Sequence, residues 1–345
     1  MSFLRNLLTP FTFLLSLVYG SIIWIRNKLY DLDWIASFSF DIPIISVGNT
    51  TTGGSGKTPL VIYLSQMLQR RGKKPGIVSR GYGRKSQGMV IVHDGKELIA
   101  NVENSGDEPY LMASVLKTVP MVVCEDRREG INHLLKNNSA DVIIMDDGFQ
   151  HRKVKRDLDI ITISANDKKE DYRLLPWGKL REPLQNIGRA NAAIFTRTNN
   201  YNPPELLPSI EPFIKGEPLF STQQLTLMKY DEDGYRKSLP PEEILFAFCG
   251  IGEPRSFFDS IVKLGLKSSG KRIFRDHQEY TSSVINELST QIKSSNCKGI
   301  ITTEKDLVKL PNNFLDEFEI YVIKIEMEFE IEEVVLDIVR AILRN

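Results

Sequence analysis

The sequence predicts an α/β fold: a mostly parallel sheet with helices on both faces, a second, smaller α/β unit behind it, and an apolar helix in front. Three observations lead there. Short β-branched runs such as Pro43–Val47, Val142–Met145 and Leu158–Ile163 lack the alternation of a half-exposed strand, so both of their faces are buried. Stretches between them carry apolar residues at helical spacing, as at Leu60, Val61, Leu64 and Leu68. The two kinds alternate through the first two thirds of the chain, and such crossovers generate parallel strands.

The first element is unusual. From Asn6 to Ile25 no residue is charged, Arg5 precedes the stretch, and Arg26 and Lys28 follow it. About 20 such residues just reach across a bilayer as a helix. Three readings are open: a spanning helix, a helix lying in the membrane interface with its basic flanks on lipid phosphates, or an N-terminal core helix. Pro10 and the hydroxyls of Thr9, Thr12, Ser16 and Ser21 dilute the apolar density and favour the interface. No small-residue cleavage site follows, which argues against a secretory signal.

After it, Pro43–Val47 reads as a strand and Lys57–Arg71 as a helix. Gly76–Ser79, Met89–Val92, Val119–Cys124, Val142–Met145, Leu158–Ile163 and Ala192–Thr196 read as further strands, with helices over Glu108–Leu116 and Arg127–Lys136. Prolines 203, 204, 208 and 212 mark a boundary, and Phe220–Lys229 a linking strand. A second α/β pattern follows: strand Ile244–Phe248, helix Arg255–Lys263, strand Lys271–Phe274, helix Ser282–Ser294, strands Gly299–Thr302 and Glu319–Ile325, and a closing helix Ile331–Leu343. The expected organisation is an N-terminal helix at 1–35, a first domain at 36–218, a linker at 219–241 and a second domain at 242–345 that includes the closing helix. A cleft between two such units is a natural substrate site.

Composition sets limits. The 345 residues are 41% hydrophobic and 26% charged, enough for a sizeable core. A net charge of zero gives no footprint for nucleic acid. The three cysteines, Cys124, Cys249 and Cys297, are too dispersed for a zinc site and odd in number for a disulfide framework, which fits a reducing compartment.

The strongest chemical signal is the run from Gly48 to Pro59, GNTTTGGSGKTP, between a predicted strand and a predicted helix. This is the setting of a phosphate-binding loop, so the first sheet is P-loop NTPase-like. Thr51, Thr52, Gly53, Gly54, Ser55 and Gly56 would turn successive N–H groups toward phosphates, with the helix N-terminus behind them. Lys57 brings a charge to the β- and γ-oxygens of ATP, and Thr58 a hydroxyl for Mg²⁺. Thr51 stands where the usual spacing has glycine, and Thr52 where the ParA/MinD variant has lysine. The acidic partner is at Asp146 and Asp147, after four apolar residues, at a strand's carboxyl edge.

With Gly148, Phe149, Gln150, His151 and Arg152, that pair forms DDGFQHR, and here the chain resembles the tetraacyldisaccharide 4′-kinases. The resemblance extends through VGNTTTGGSGKTP (47–59), SRGYGR (79–84), GDEP (106–109), LLPWGKLREP (174–183), FCGIGEP (248–254), DHQEY (276–280) and TEKDLVKL (303–310). It implies two α/β/α domains joined by a two-stranded linker and an N-terminal helix dipping into the cytoplasmic leaflet of the bacterial inner membrane. It also implies transfer of the ATP γ-phosphate to the 4′-hydroxyl of a tetraacylated glucosamine disaccharide 1-phosphate. A monomer and no nucleic-acid partner are expected.

A sugar hydroxyl is a weak nucleophile, so a base is expected beside it. Asp107 is the candidate, although its place before a predicted helix equally suits an N-cap. The resemblance pairs it with His277. It also sets Glu182 beside Asp146, Asp147 and Thr58 at the metal. Arg127 is a candidate for the transferring phosphoryl group. Arg80, Arg84, Arg181, Tyr82 and His151 are candidates for holding the substrate. The alternatives are a membrane-recruited ParA/MinD-type ATPase switch and a kinase for a soluble sugar.

Overall fold

The computed structural model describes residues 2–137, 140–199, 207–231, 234–297, 299–330 and 332–343. Prolines 203 and 204 of the expected boundary, and Ile331 of the closing helix, lie outside them. The first element is one long helix, α1 (Ser2–Asp31). No helix among the described residues is long and apolar enough to cross a membrane, which sets aside the spanning reading of 6–25. The core reading fails too. Phe11, Leu14, Leu17, Val18, Ile22, Trp24 and Ile25 are exposed, and from Pro10 onward only Ser16, Ile23 and Asn27 of α1 are buried.

The nucleotide half begins with β1 (Ile44–Gly48), α2 (Lys57–Arg70), β2 (Pro75–Ser79), β3 (Val90–His93) and the short α3 (Val102–Ser105). It continues with α4 (Asp107–Val115), β4 (Met121–Val123), α5 (Arg127–Lys136), β5 (Val142–Asp146), β6 (Leu158–Ser164), β7 (Ala192–Thr196) and α6 (Leu207–Ile210). Strands β4, β2, β5, β1, β6 and β7 lie side by side and parallel. The crossovers through α2, α4 and α5 are what parallel pairing requires. Strand β3 is the exception. It pairs antiparallel with β4 at the edge, where Val90 and Ile91 are only half-buried, so one short run of apolar residues was not a core strand.

The linking strand is longer than its sequence pattern suggests: β8 spans Leu219–Asp231. Its start pairs parallel with β7, and the rest pairs antiparallel with β13 (Glu319–Phe329) from Ser221 to Tyr230. A hairpin strand, β9 (Gly234–Lys237), lies beside it. The second half adds β10 (Leu245–Cys249), α7 (Pro254–Lys263), β11 (Ser268–Ile273), α8 (Ser282–Ser294), β12 (Gly299–Thr303), and the single turns α9 (Glu304–Leu307) and α10 (Asn312–Leu315). Among the described residues the strands other than β9 thus form one continuous path, 11-10-12-13-8-7-6-1-5-2-4-3, with β9 joined to it through β8. Phe248, Leu288, Ile300 and Val322 make one core of the second half with α8, and Ala247, Phe257, Ile261 and Ile301 the other with α7.

The closing helix α11 (Glu332–Leu343) departs from expectation. Its Val335, Leu336 and Val339 pack into the core of the nucleotide half, with Ile45, Leu60, Leu64 and Ile144, rather than into the second half. The reason lies in β13, which runs long enough to carry the chain back. Phe329 at its end meets the ring of Tyr63 on α2 at 5.0 Å, and Glu332 meets Arg70 at 3.2 Å.

Candidate active site

The glycine loop crosses from β1 to α2 at the carboxyl edge of the sheet. Gly56 precedes the helix at φ 86°, a left-handed conformation that a Cβ would strain. The loop is fixed from below by hydroxyls: Ser55 Oγ lies 2.7 Å from Thr162 Oγ1, and Thr196 Oγ1 donates to the Ser55 carbonyl at 3.0 Å. It is fixed from outside by the 179–181 segment. Thr52 N–H donates to the Lys179 carbonyl, and Arg181 N–H to the Thr50 carbonyl, each at 2.8 Å. Thr51, Thr52, Gly53, Gly54 and Ser55 line one wall of a cavity of ≈ 250 Å³ whose other wall carries Gly252, Glu253 and Asp276 from the second half.

The register Val47–Asp146 between β1 and β5 brings the acidic pair to the base of this loop. Lys57 Nζ lies 3.4 Å from Asp147 Oδ1, and Arg181 donates two bonds to the same carboxylate at 3.0 and 2.8 Å. Burial opposes the charge on Asp147, but Lys57 and Arg181 outweigh it and hold the carboxyl at about 2. Asp146 is different. Burial, with the charges of Glu108 and Asp147 added, pushes it up to about 6. Ser79 Oγ donates to its Oδ2 at 2.7 Å, while its Oδ1 is buried with no hydrogen-bond partner.

Arg127 opens α5, where its side chain is 5% exposed, and burial lowers its pKa below the ordinary guanidinium range. Its charge is felt by Asp147 and by His151. Burial first and Arg127 second push His151 down to about 4, so the ring is neutral at pH 7, and its Nε2 is buried without a partner.

Asp107 does not cap α4. Gly106 occupies the cap at φ 89°, where a Cβ would meet the Tyr82 carbonyl at 2.8 Å, and Asp107 is the first helical residue. Its carboxylate is thereby freed to point across to the second half, where His277 Nδ1 lies 3.2 Å from Oδ2. Burial raises this carboxyl, but the His277 bond and the charges of Lys309 and Lys305 outweigh that and hold it below the usual range. The ring of Tyr82, itself 70% exposed, sits 5.2 Å from that of His277.

Other expected residues stand elsewhere. Glu182 is 0% exposed and does not join the acidic pair. Its Oε2 accepts from Asn27 at 2.9 Å and Asn186 at 2.8 Å and pairs with Arg189 at 2.9 Å, and Arg26 lies 3.7 Å from Oε1. Among the described residues, no three His, Cys, Asp or Glu side chains are grouped to hold a metal ion together. Buried charge requires such partners, and α1 supplies two of them. Arg84 is likewise engaged, donating to Glu125 at 2.5 Å and to the Gly88 carbonyl at 2.6 Å, which folds the 80–88 loop on itself. Arg80 stays exposed, close enough to depress the pKa of Arg127.

Sequence reasoning missed the hydroxyl floor of Thr162, Thr196 and Ser79. The available signal was a polar residue at the carboxyl end of an apolar strand. It also missed the parts played by Lys305 and Lys309 of the TEKDLVKL motif. Lys305 Nζ lies 3.4 Å from Glu108 Oε1, 3.1 Å from Asp276 Oδ1 and 3.4 Å from His277 Nε2.

A comparison with protein families matches the model described as Tetraacyldisaccharide-1-P 4′-kinase over residues 5–344. Similar curated proteins carry the name tetraacyldisaccharide 4′-kinase. The protein from Desulfotalea psychrophila is 38% identical, with 89% of each chain covered. The protein from Aquifex aeolicus is 38% identical over 96% of this chain and 98% of the relative. A crystal structure of the Aquifex aeolicus protein in complex with ATP aligns with a TM-score of 0.78 at 36% identity, covering 98% of this chain and 99% of that one.

Proposed function

The chain belongs to the tetraacyldisaccharide-1-P 4′-kinase family, and from that premise we propose how its own residues carry the γ-phosphate of ATP to the 4′-hydroxyl of a tetraacylated glucosamine disaccharide 1-phosphate. The observation that carries the reading is the meeting of Lys57 with Asp147 at 3.4 Å beneath a glycine loop, in the same half whose Asp107 reaches across to His277 at 3.2 Å.

The triphosphate lies along 51–58, its β- and γ-oxygens receiving the loop N–H groups and Lys57. Charge spreads onto the equatorial oxygens of the transferring group, so fixed cations matter more than covalent chemistry. Arg127 is such a cation: buried, directed by α5, and already close to the acidic pair. The donors present suit magnesium, because Asp146 Oδ1 is buried without a partner and Thr58 begins the helix beside Lys57. Thr58 and Asp146 would hold the ion, with Asp147 alongside, and the ion would neutralise charge on the β- and γ-oxygens.

The acceptor enters from the Tyr82 side of the cleft. Its 4′-oxygen forms the new bond to phosphorus as the bond to the β–γ bridging oxygen breaks, and ADP leaves with that electron pair. The hydroxyl proton passes to Asp107, held ionised by its cationic neighbours, and His277 orients that carboxylate. Tyr82, Arg80 and the neutral His151 remain the candidates to hold the sugar. The two halves act as the domains that close on it. The exposed apolar stripe of α1, with Arg26 and Lys28 at its end, lies in the membrane interface on the cytoplasmic side and brings the acyl chains to the cleft.

The test is transfer of label from γ-labelled ATP to a tetraacyl disaccharide 1-phosphate in mixed micelles. The expected result is a labelled lipid, formed only when the acceptor is present. Label released as inorganic phosphate at a rate indifferent to the acceptor would instead favour an ATPase switch.

A further inference from the structure

We infer that Lys309 is a positioning residue for phosphoryl transfer: it fixes one oxygen of the Asp107 carboxylate from across the cleft and leaves the other to the acceptor hydroxyl. The inference rests on the kinase reading above. Lys309 lies just beyond α9 in the second half, with its side chain 7% exposed. Its Nζ is 3.4 Å from Asp107 Oδ2, the same oxygen that His277 Nδ1 approaches at 3.2 Å. Two groups from the second half therefore converge on Oδ2, and neither contact uses Oδ1.

The ammonium is itself held in place. It lies 3.1 Å from Asp306 Oδ1 and 5.3 Å from the centre of the Tyr280 ring. Asp306 is fully buried and immobilised by Gly250 N–H at 2.8 Å, Tyr280 Oη at 3.0 Å and Thr303 Oγ1 at 2.7 Å. A lysine used only to neutralise Asp306 would have no need to reach the other half. This one touches both carboxylates, so the DHQEY and TEKD motifs end at a single oxygen on α4.

The other groups facing Asp107 are Glu108 on its own helix, Tyr82 from the 80–85 loop, Asp276, His277 and Tyr280 from the 276–280 segment, and Lys305 and Asp306 on α9. Among them Lys305 and Lys309 are the lysine ammonium groups. Lys309 is one of the charges that hold the Asp107 carboxyl below its usual range, so removing its ammonium lets Asp107 take up a proton more readily and moves the acid limb of the rate profile to higher pH.

The experiment measures kcat, the KM for ATP and for acceptor, and the pH profile of kcat/KM in the full chain carrying Lys309→Met or Lys309→Arg. We expect Lys309→Met to lower kcat by roughly 30-fold or more, keep the KM for ATP within about twofold, and raise the acid limb by about one pH unit. Lys309→Arg should recover at least about tenfold of the loss, because the charge returns. A Lys309→Met enzyme with wild-type kcat and an unmoved acid limb overturns the inference. So does a loss that Arg does not relieve and that leaves the acid limb in place, since that marks a purely structural side chain. A wild-type chain that transfers no label removes instead the kinase reading beneath it.

Discussion

At the scale of single residues, the site is a set of charges whose neighbours decide their roles. Lys57→Ala removes the cation between loop and carboxylate, and Asp146→Ala the buried orphan oxygen. Each should cost about 4 kcal/mol of transition-state stabilisation, ~10³-fold in kcat, read by label transfer. Asp107→Ala and His277→Ala should each lower kcat, and the double variant should be little worse than either, because the 3.2 Å contact makes them one unit. Fully multiplicative losses would show two independent groups. A pH effect on stability is expected at Glu304, where burial pushes the carboxyl up to about 7 against Lys324, which favours the charge. The folded state there holds its proton more tightly than the unfolded chain does. Its stability contribution is therefore greatest below pH ~4.5 and declines as pH rises toward ~7. Glu304→Gln should raise the denaturation midpoint at pH 8 relative to wild type and leave it unchanged near pH 4. The glycine loop and the acidic pair were legible in the sequence because each needs consecutive residues. The contact of Asp107 with His277 was not, since no spacing links positions so far apart; only the likeness to a family brought them together.

At the scale of elements, the sequence located strands and helices well wherever an apolar run was buried on both faces, as in β5, β6 and β7. It failed where packing overrode pattern. The run that became β3 is as apolar as its neighbours but ends at an edge, and β8 is too mixed in polarity to show its full length. Helix α1 shows the same limit. Its apolar stripe was plain, yet nothing in the sequence disclosed that Tyr19 Oη donates to the Arg181 carbonyl at 2.7 Å, or that Asn27 and Arg26 meet Glu182. This seat ties α1 to the strip that pairs with the glycine loop. Glu182→Ala should therefore destabilise the fold by about 3 kcal/mol, since it leaves the Arg189 guanidinium and the buried Asn27 amide without their carboxylate, and chemical denaturation would measure it. Deleting residues 1–25 should lower activity on micellar acceptor sharply and abolish co-sedimentation with anionic vesicles; unchanged binding would refute the interfacial role of α1.

At the scale of the whole molecule, the two halves are joined covalently through β8 and β13 and electrostatically through Lys305, Lys309 and His277. The contacts across the cleft are ionic and partly exposed, so salt should weaken them. Raising ionic strength should lower kcat/KM for the acceptor more than the affinity for ATP, and a uniform effect on both would argue against a cleft closed by charge. The sequence marked the junction by its prolines and by the change of pattern after it. It did not show where the last helix docks, because an amphipathic stripe specifies that a face is covered and never by what. Helix α11 completes the first core only after β13 has returned from the second. During synthesis the nucleotide-binding portion must therefore wait, with α2 uncovered, while the remainder of the polypeptide emerges. A ribosome stalled at residue 320 would expose a nascent chain that binds ATP poorly and is cut readily by protease, whereas one stalled with residues 332–343 outside the exit tunnel would not.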